Sequence, residues 1–371
     1  MAALDSSRSP GLAYAFAYEA LPMRVRFGPG VIAELGAELD RLGLGRTLVL
    51  CSPEQEKTGE LVAEALGGRA AGVLARARMH VPVEVAHLAR DRVAALGADG
   101  CVAVGGGSAI GLGKAVALEQ GLPVVAVPTT YAGSEMTPVW GLTEGSRKRT
   151  GRDTRVLPVS VLYDPELTTG LPIGMSVTSG LNAVAHAVES LYAPDRSPIV
   201  SLMAEEGVRA MTSALPAIVA DGSDRDARAR ALFGAWLCGA CLGATTMSLH
   251  HKLCHALGGT LDLPHAPTHT VVLPHVLAYN QRGAPAAVAA LSRALGAADP
   301  ARALGDLAGE LGAPRSLADL GMAEADIARI AEQVVASPYA NPVPVTRDGV
   351  VRLLRAAWAG EPPAPLHIGG R

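Results

Sequence analysis

Between residues 46 and 165 the chain returns repeatedly to one unit: a short apolar run, then a longer stretch with apolar residues at helical spacing. The runs are RTLVLC (46–51), AAGVLA (70–75), the strand in DGCVAVGGGS, PVVAVPTT (123–130) and SVLYDP (160–165). Helical stretches cover 31–43, EQEKTGELVAEALGG, 83–97 and 109–120. A run with no polar face is buried on both sides, and such strands alternating with helices predict a parallel sheet covered by helices on both faces. Ahead of this pattern, AYAFAYEALPMRVRFGPG reads as one or two strands, as in a hairpin that packs on a neighbour, ending at Gly28-Pro29-Gly30. Beyond about Thr168 the pattern changes, and 176–193, 199–218, 226–256, 285–296, 300–311, 323–336 and 347–358 all read as Ala-rich helices. The expectation is an α/β nucleotide-binding domain over 1–166 and an all-α domain over 167–371, divided at ELTTGLP. The closing GEPPAPLHIGGR, rich in Pro and Gly, is expected to be poorly ordered.

Composition agrees with this architecture and removes some functions. A chain of 371 residues fits two domains. With 49% hydrophobic residues but only 3 Phe, the core must be built from Ala, Val and Leu. The net charge is -3, with no long run of one sign, which argues against a nucleic acid partner. The five cysteines lie mostly in apolar segments and form no disulfide framework, as expected in a reducing cytoplasm. The N-terminal stretch lacks the basic start and apolar core of a signal peptide, and no run of about 18 apolar residues predicts a membrane span.

Two stretches carry chemistry. Gly105-Gly106-Gly107-Ser108 follows a strand and opens a helix, where bare backbone and unpaired N–H groups can receive a phosphate. GGGSAIGLGK has neither Rossmann nor P-loop spacing, so a plain strand-to-helix turn stays open as an alternative. The first strand ends in Cys51-Ser52-Pro53, and the small, neutral Ser52 near a ribose would tolerate NADPH as well as NADH, with Glu54 close by. The second stretch is HHKLCHALGGTLDLPHAPTHTVVLPH (250–275), with six of the chain's 10 histidines. His251 and His255 are four apart and share one helix face; Gly258-Gly259 is expected to end that helix before Pro264-His265. Asn182 and His186 repeat the four-residue spacing upstream. Two helices presenting such pairs make a metal site or the remains of one.

GGGSAIGLGKA, PTTYAGSEMTPVWGLTE, KRTGRD, YDPELT, SVTSGLNAVAHAVESLYAPD, SLMAEEG, the histidine stretch and NPVPVT (341–346) together resemble the maleylacetate reductase branch of the iron-containing alcohol dehydrogenase superfamily. The resemblance spans nearly the whole chain. It implies the dehydroquinate synthase-like fold, an active site between the two domains, a homodimer with N-terminal strands exchanged or paired, and NADH or NADPH as cofactor. It also implies the reduction of maleylacetate to 3-oxoadipate in the breakdown of aromatic compounds. Metal-dependent members are similar to this chain with Asp at position 182 and His at 186, 251 and 265. Here Asn182 stands in place of that Asp. A neutral amide is a poorer ligand for a divalent cation than a carboxylate, although three histidines could still bind zinc. The resemblance to maleylacetate reductases, which generally look metal-independent, implies that no metal is expected and that the quartet is vestigial.

The chemistry implied needs no Lewis acid. Hydride added to the carbon β to a conjugated ketone leaves an enolate, which needs hydrogen-bond donors and an acid. His251 and His265 are the expected donors, with His186 and Asn182 completing the wall and His255 as proton donor or relay. Lys252 is a candidate partner for a substrate carboxylate, and solvent is its other outcome. Thr129, Thr130 and Tyr131 follow a strand whose end should face the cleft, and Ser134 lies on the same loop. Lys148 is placed near the cofactor by resemblance, against the alternative of a solvated basic loop. A metal-dependent alcohol dehydrogenase of the same fold and a nucleotide-binding protein without catalysis are the rival readings.

Overall fold

The structure, a computed structural model, describes residues 16–21, 23–145 and 147–365, without the side chains of Arg147 and Lys148. Six strands form one parallel sheet: β1 (Arg24–Phe27), β2 (Thr47–Cys51), β3 (Ala70–Ala75), β4 (Gly100–Gly105), β5 (Val124–Pro128) and β8 (Ser160–Tyr163), in the order β1-β8-β5-β4-β2-β3. The four helices of this half are α1 (Leu35–Leu42), α2 (Glu56–Leu66), α3 (Val83–Leu96) and α4 (Gly107–Gln120). Side chains alternate along each strand. Val49, Val102, Val104, Val125, Val127 and Leu162 pack with α1 and α2, while Leu48, Leu50, Cys101, Ala103 and Ala126 pack with α3 and α4. Both faces are covered, as continuous apolar runs require. Each such Val or Leu contributes roughly 1.5–3 kcal/mol of burial against the entropy of ordering it.

One expectation for this half is corrected, and another falls partly outside the described residues. β1 lies parallel to β8 at the sheet edge, Arg24 opposite Ser160, and the described residues 16–21 before it form no strand. The part of the expected hairpin before residue 16 lies outside the described residues. The segment carrying KRTGRD is not an open loop: β6 (Val139–Glu144) and β7 (Arg147–Arg152) form an antiparallel hairpin. Gly151 lies beneath the Trp140 ring, where a Cβ would come within 2.7 Å of ring atoms.

From α5 onward the regular elements are helical: α5 (Ile173–Tyr192), α6 (Pro198–Ala220), α7 (Arg225–Ala244), α8 (Leu249–Leu261), α9 (His265–Asn280), α10 (Pro285–Leu295), α11 (Pro300–Glu310), α12 (Asp326–Val335) and α13 (Arg347–Ala359). The expected single helix over 226–256 is two, α7 and α8, bent by 96°. Gly258 and Gly259 do not end α8; Asp262 does, in the left-handed conformation at φ 54°. No single described helix is long and apolar enough to cross a membrane. Of the expected disordered tail, 366–371 lie outside the described residues.

The strand-bearing half meets the helices through a close backbone approach. Gly133, at φ 77°, follows β5 and lies against Gly239 of α7, so a Cβ on Gly239 would stand 2.9 Å from the Gly133 Cα. Only glycine at both positions lets the 129–137 loop settle on α7. That contact sets the loop beside His186, whose Nδ1 would be 3.4 Å from a Cβ on Gly133.

Candidate active site

The nucleotide end is built at the carboxyl ends of β2, β4 and β5. The chain leaves β2 for β3 on one side and returns through β4 on the other, the switch point at which open α/β sheets bind ligands. Gly105 ends β4 at φ 143°; a Cβ there would meet Gln55 Oε1 at 2.6 Å and Ala109 Cβ at 2.9 Å. A Cβ on Gly106 would meet the Thr130 side chain at 2.9 Å. Gly107 and Ser108 begin α4, whose first N–H groups have no partner within the helix. Ser52 lies at the end of β2 and Thr129 at the end of β5, buried. Gln55, not singled out by its sequence context, donates from Nε2 to Thr129 Oγ1 at 2.6 Å and ties these strand ends together.

The loop after β5 is anchored from below by Lys114 of α4. Its ammonium donates to Ser134 O at 2.6 Å, Thr137 Oγ1 at 2.9 Å and Val139 O at 2.8 Å. Burial pushes Lys114 down to about 7, opposed by the charge of Glu135. Ser134, expected at the cofactor, therefore holds Lys114 through its backbone oxygen. Tyr131 is a correction. It is fully buried, and its hydroxyl accepts from Arg228 Nη1 at 3.2 Å. Arg228, also fully buried, donates onward to Ser176 Oγ and Leu171 O. Tyr131 belongs to this core network, its hydroxyl engaged by Arg228 and not presented to a substrate. Lys148 lies on β7 opposite Thr143, and its side chain lies outside the described residues.

The histidines converge. Asn182 and His186 are buried on α5, and His251 is buried on α8. The His186 and His251 ring centroids are 5.1 Å apart, and those of His251 and His255 are 6.2 Å apart. His265, at the start of α9, is half-buried, and His255 is exposed. His250 and His269, in the same sequence stretch but not chosen from it, are fully buried within the cluster. The His269 ring centroid is 4.3 Å from that of His265 and 5.1 Å from that of His251. Burial first, then the neighbouring rings, pushes His186, His250 and His269 well below the usual histidine range.

Glu189, three residues after His186 on α5, is the organising residue that sequence reasoning missed. Its carboxylate is fully buried and receives the N–H groups of Ser248 at 3.0 Å, His250 at 2.8 Å and His251 at 3.3 Å. It thus caps α8 from another helix, which explains the break after α7. The same carboxylate lies 2.6 Å from His251 Nδ1. A carboxylate taking three backbone N–H groups is an acceptor, so Nδ1 carries the hydrogen and Nε2 is the ring's other working atom. His251 Nε2, His269 Nε2, His186 Nδ1 and Asn182 Oδ1 are buried with no protein partner. Lys252 is not placed among them; its ammonium donates to Ser337 Oγ at 3.2 Å and lies 5.7 Å from the Tyr339 ring centroid.

Two groups of side chains here could face a divalent metal. Asn182, His186, His251 and His265 supply three imidazoles and a neutral amide, with no carboxylate, and Glu189 is occupied by backbone. Among the described residues, the one group of three His, Cys, Asp or Glu whose ligand atoms gather within 4.8 Å is His250, Cys254 and His269. There His250 Nε2 and His269 Nδ1 already share a hydrogen bond of 2.9 Å, and burial pushes the Cys254 thiol well above its usual value, against the thiolate a metal takes. The first set offers the three imidazoles that a zinc ion takes but no carboxylate, and the second would have to open the His250–His269 bond and deprotonate Cys254 to take a cation.

Two family models match the chain: "Iron-containing alcohol dehydrogenase" over residues 22–165, and "Fe-containing alcohol dehydrogenase family, C-terminal" over 176–358. A maleylacetate reductase of Burkholderia cepacia is 56% identical over 350 residues, covering 94% of this chain and 99% of the relative. The crystal structure of maleylacetate reductase from Agrobacterium tumefaciens superposes with a TM-score of 0.91 at 51% identity, covering 94% of this chain and 99% of that one. That of the Rhizobium sp. enzyme gives 0.91 at 50% identity, over 94% and 100%.

Proposed function

The chain belongs to the iron-containing alcohol dehydrogenase family, and from that footing we infer that it is an oxidoreductase that reduces the carbon–carbon double bond of maleylacetate to give 3-oxoadipate. The reductant is a nicotinamide nucleotide, and the setting is the catabolism of aromatic compounds. The observation that carries the reading is the wall of buried, unpartnered polar atoms. Asn182, His186, His251 and His269 present buried polar atoms without protein partners, and the one carboxylate among them, Glu189, is turned to backbone. A dianionic, conjugated keto acid meets imidazole and amide groups there, and the one carboxylate is already held by backbone N–H groups and by His251 Nδ1.

Hydride passes from the nicotinamide to the substrate carbon β to the ketone, and the electron pair of the double bond moves onto the ketone oxygen as an enolate. A proton then adds to the carbon next to the ketone, completing the two-electron reduction. His265 is a proposed donor to the enolate or a carboxylate, as is His251 when it carries hydrogens on both ring nitrogens, the one on Nδ1 held by Glu189, and His186 and Asn182 shape the wall. His255, exposed and one turn from His251, suits proton exchange with solvent. No step is assigned to a resident metal. Gly105, Gly106, Gly107 and Ser108 take the pyrophosphate, with Thr129 and Thr130 beside the nicotinamide. Ser52 carries no charge to repel a 2′-phosphate, so both NADH and NADPH are proposed.

The division into nucleotide and helical domains is placed near residue 166. A homodimer is proposed because β1 is an edge strand and open edges are commonly paired. A reducing, cytoplasmic setting suits five buried, unpaired cysteines. Consumption of NADH by the chelator-treated protein with fresh maleylacetate tests the function. Turnover is expected; silence with and without added zinc or iron removes the reading.

A further inference from the structure

The roles given to His251, His255, His265 and His186 leave His250 and His269 idle, although both are fully buried in the cluster. His250 Nε2 lies 2.9 Å from His269 Nδ1, so one hydrogen lies between them. The two placements of that hydrogen are not equivalent. If His269 carries it on Nδ1, the neutral His250 ring must carry its own on Nδ1, a buried atom without a partner. His269 would then turn a lone pair on Nε2 towards an anionic substrate. If instead His250 carries it on Nε2, it donates to His269 Nδ1, and Cys254 Sγ lies 3.8 Å from His250 Nε2. His250 Nδ1 then keeps only a lone pair, and His269 must carry its hydrogen on Nε2. Each placement leaves one buried donor unpaired, His250 Nδ1–H in the first and His269 Nε2–H in the second. Only the second puts that donor on the ring packed against His265, His251 and His186, where a bound anion can accept from it, so the second arrangement is the one the substrate selects.

His269 Nε2–H is then a buried donor with no protein partner. Its ring lies 4.3 Å from that of His265, 5.1 Å from His251 and 6.4 Å from His186, centroid to centroid. We propose that His269 is a catalytic residue, donating from Nε2 to a substrate carboxylate or to the enolate oxygen, and that His250 is a positioning residue that fixes its tautomer. The proposal rests on the dicarboxylate substrate inferred under Proposed function. It also gives the HAPTH segment a purpose: His265 and His269, one turn apart on α9, face the anion together.

The test combines two variants with a spectroscopic measurement on the intact enzyme. His269→Leu removes the donor, and His269→Gln offers an amide N–H in its place. Loss of a hydrogen bond to a charged group predicts that His269→Leu lowers kcat/KM for maleylacetate on the order of 10- to 100-fold, with NADH affinity held within about twofold. His269→Gln recovers most of the loss. Nitrogen NMR on the wild-type enzyme with isotope-labelled histidine is expected to show His269 protonated on Nε2. That signal should shift when adipate, an unreactive six-carbon dicarboxylate, is added in the presence of NADH. A folded His269→Leu enzyme with unimpaired kcat/KM overturns the proposal, as does a His269 protonated on Nδ1 or untouched by adipate. If His269→Leu does not fold, the wild-type spectrum decides. Wild-type turnover of maleylacetate is measured alongside. Its absence overturns the functional reading and this proposal together, whereas its presence beside an unimpaired His269→Leu overturns this assignment alone.

Discussion

The carboxylate of Glu189 on α5 stands 2.6 Å from Nδ1 of His251 on α8 while it caps the helix that carries that histidine. One side chain therefore sets where α8 begins and which ring nitrogen of His251 faces the cluster. Glu189→Gln keeps the volume but sets an amide NH2 against a backbone N–H or against Nδ1–H. Hydrogen bonds to charged groups contribute roughly 1.5–3 kcal/mol. The expected result is a fall in kcat on the order of 10- to 100-fold, a lower melting temperature, and NADH affinity close to wild type. Steady-state kinetics with a fluorescence titration of NADH reads all three, and an unchanged kcat would show that the Glu189–His251 bond does not serve the reaction.

The glycine turn makes an independent prediction. A Cβ on Gly106 would stand 2.9 Å from both Cγ2 and Oγ1 of Thr130, and β4 and β5 leave Thr130 little room to retreat. Gly106→Val should push the turn and the 129–137 loop apart and spoil the phosphate cradle. NADH binding is expected to weaken by more than about tenfold, measured by fluorescence titration, with the melting temperature reporting any wider damage. Unchanged affinity would place the pyrophosphate elsewhere.

The sheet was legible in the sequence because a strand buried on both faces needs an unbroken apolar run, and RTLVLC and PVVAVPTT have no other comfortable place. The β6–β7 hairpin was not. Its strands carry charges and Trp140, and pairing over Gly151 holds them, with no apolar alternation to read. The bend between α7 and α8 was hidden because its cause, Glu189, is about sixty residues upstream. The Gly258-Gly259 pair misled because glycine permits a helix end without enforcing one; the left-handed residue is Asp262. In the site, helical spacing singled out His251–His255 and Asn182–His186. The same spacing joins His265 to His269, yet nothing in a sequence shows that His250 stands opposite His269 across two helices.

His275 makes stability depend on pH. It is buried on α9 beside a recess of about 390 Å³ that Asp306, Glu310, Arg315 and Glu361 also line. Burial pushes it down to about 4, from 6.5. Above 6.5 the ring is neutral in both folded and unfolded chains and contributes no pH dependence. Between 6.5 and 4 the unfolded chain takes up a proton that the folded one refuses, so stability is lost as pH falls, by up to roughly 3 kcal/mol. His275→Gln cannot take up that proton. Its melting temperature should fall less steeply than wild type between these limits, and parallel curves would mean that His275 is protonated at little cost in the fold.

The vestigial reading of the quartet can be reversed by one substitution. Asn182 is buried, and its Oδ1 has no protein partner. Asn182→Asp puts a carboxylate beside His186, and a buried, unpaired carboxylate is costly unless a cation or a proton neutralises it. The apo variant should melt lower than wild type. Zinc or ferrous iron should restore it, because a ligand that binds only the folded state raises its stability. Bound metal per subunit, measured by elemental analysis after dialysis, should rise above the wild-type value. Turnover of maleylacetate should fall, since a carboxylate now opposes the dianion. A variant that gains neither metal nor metal-dependent melting would show that histidine placement, and not the amide, is what departs from a metal site.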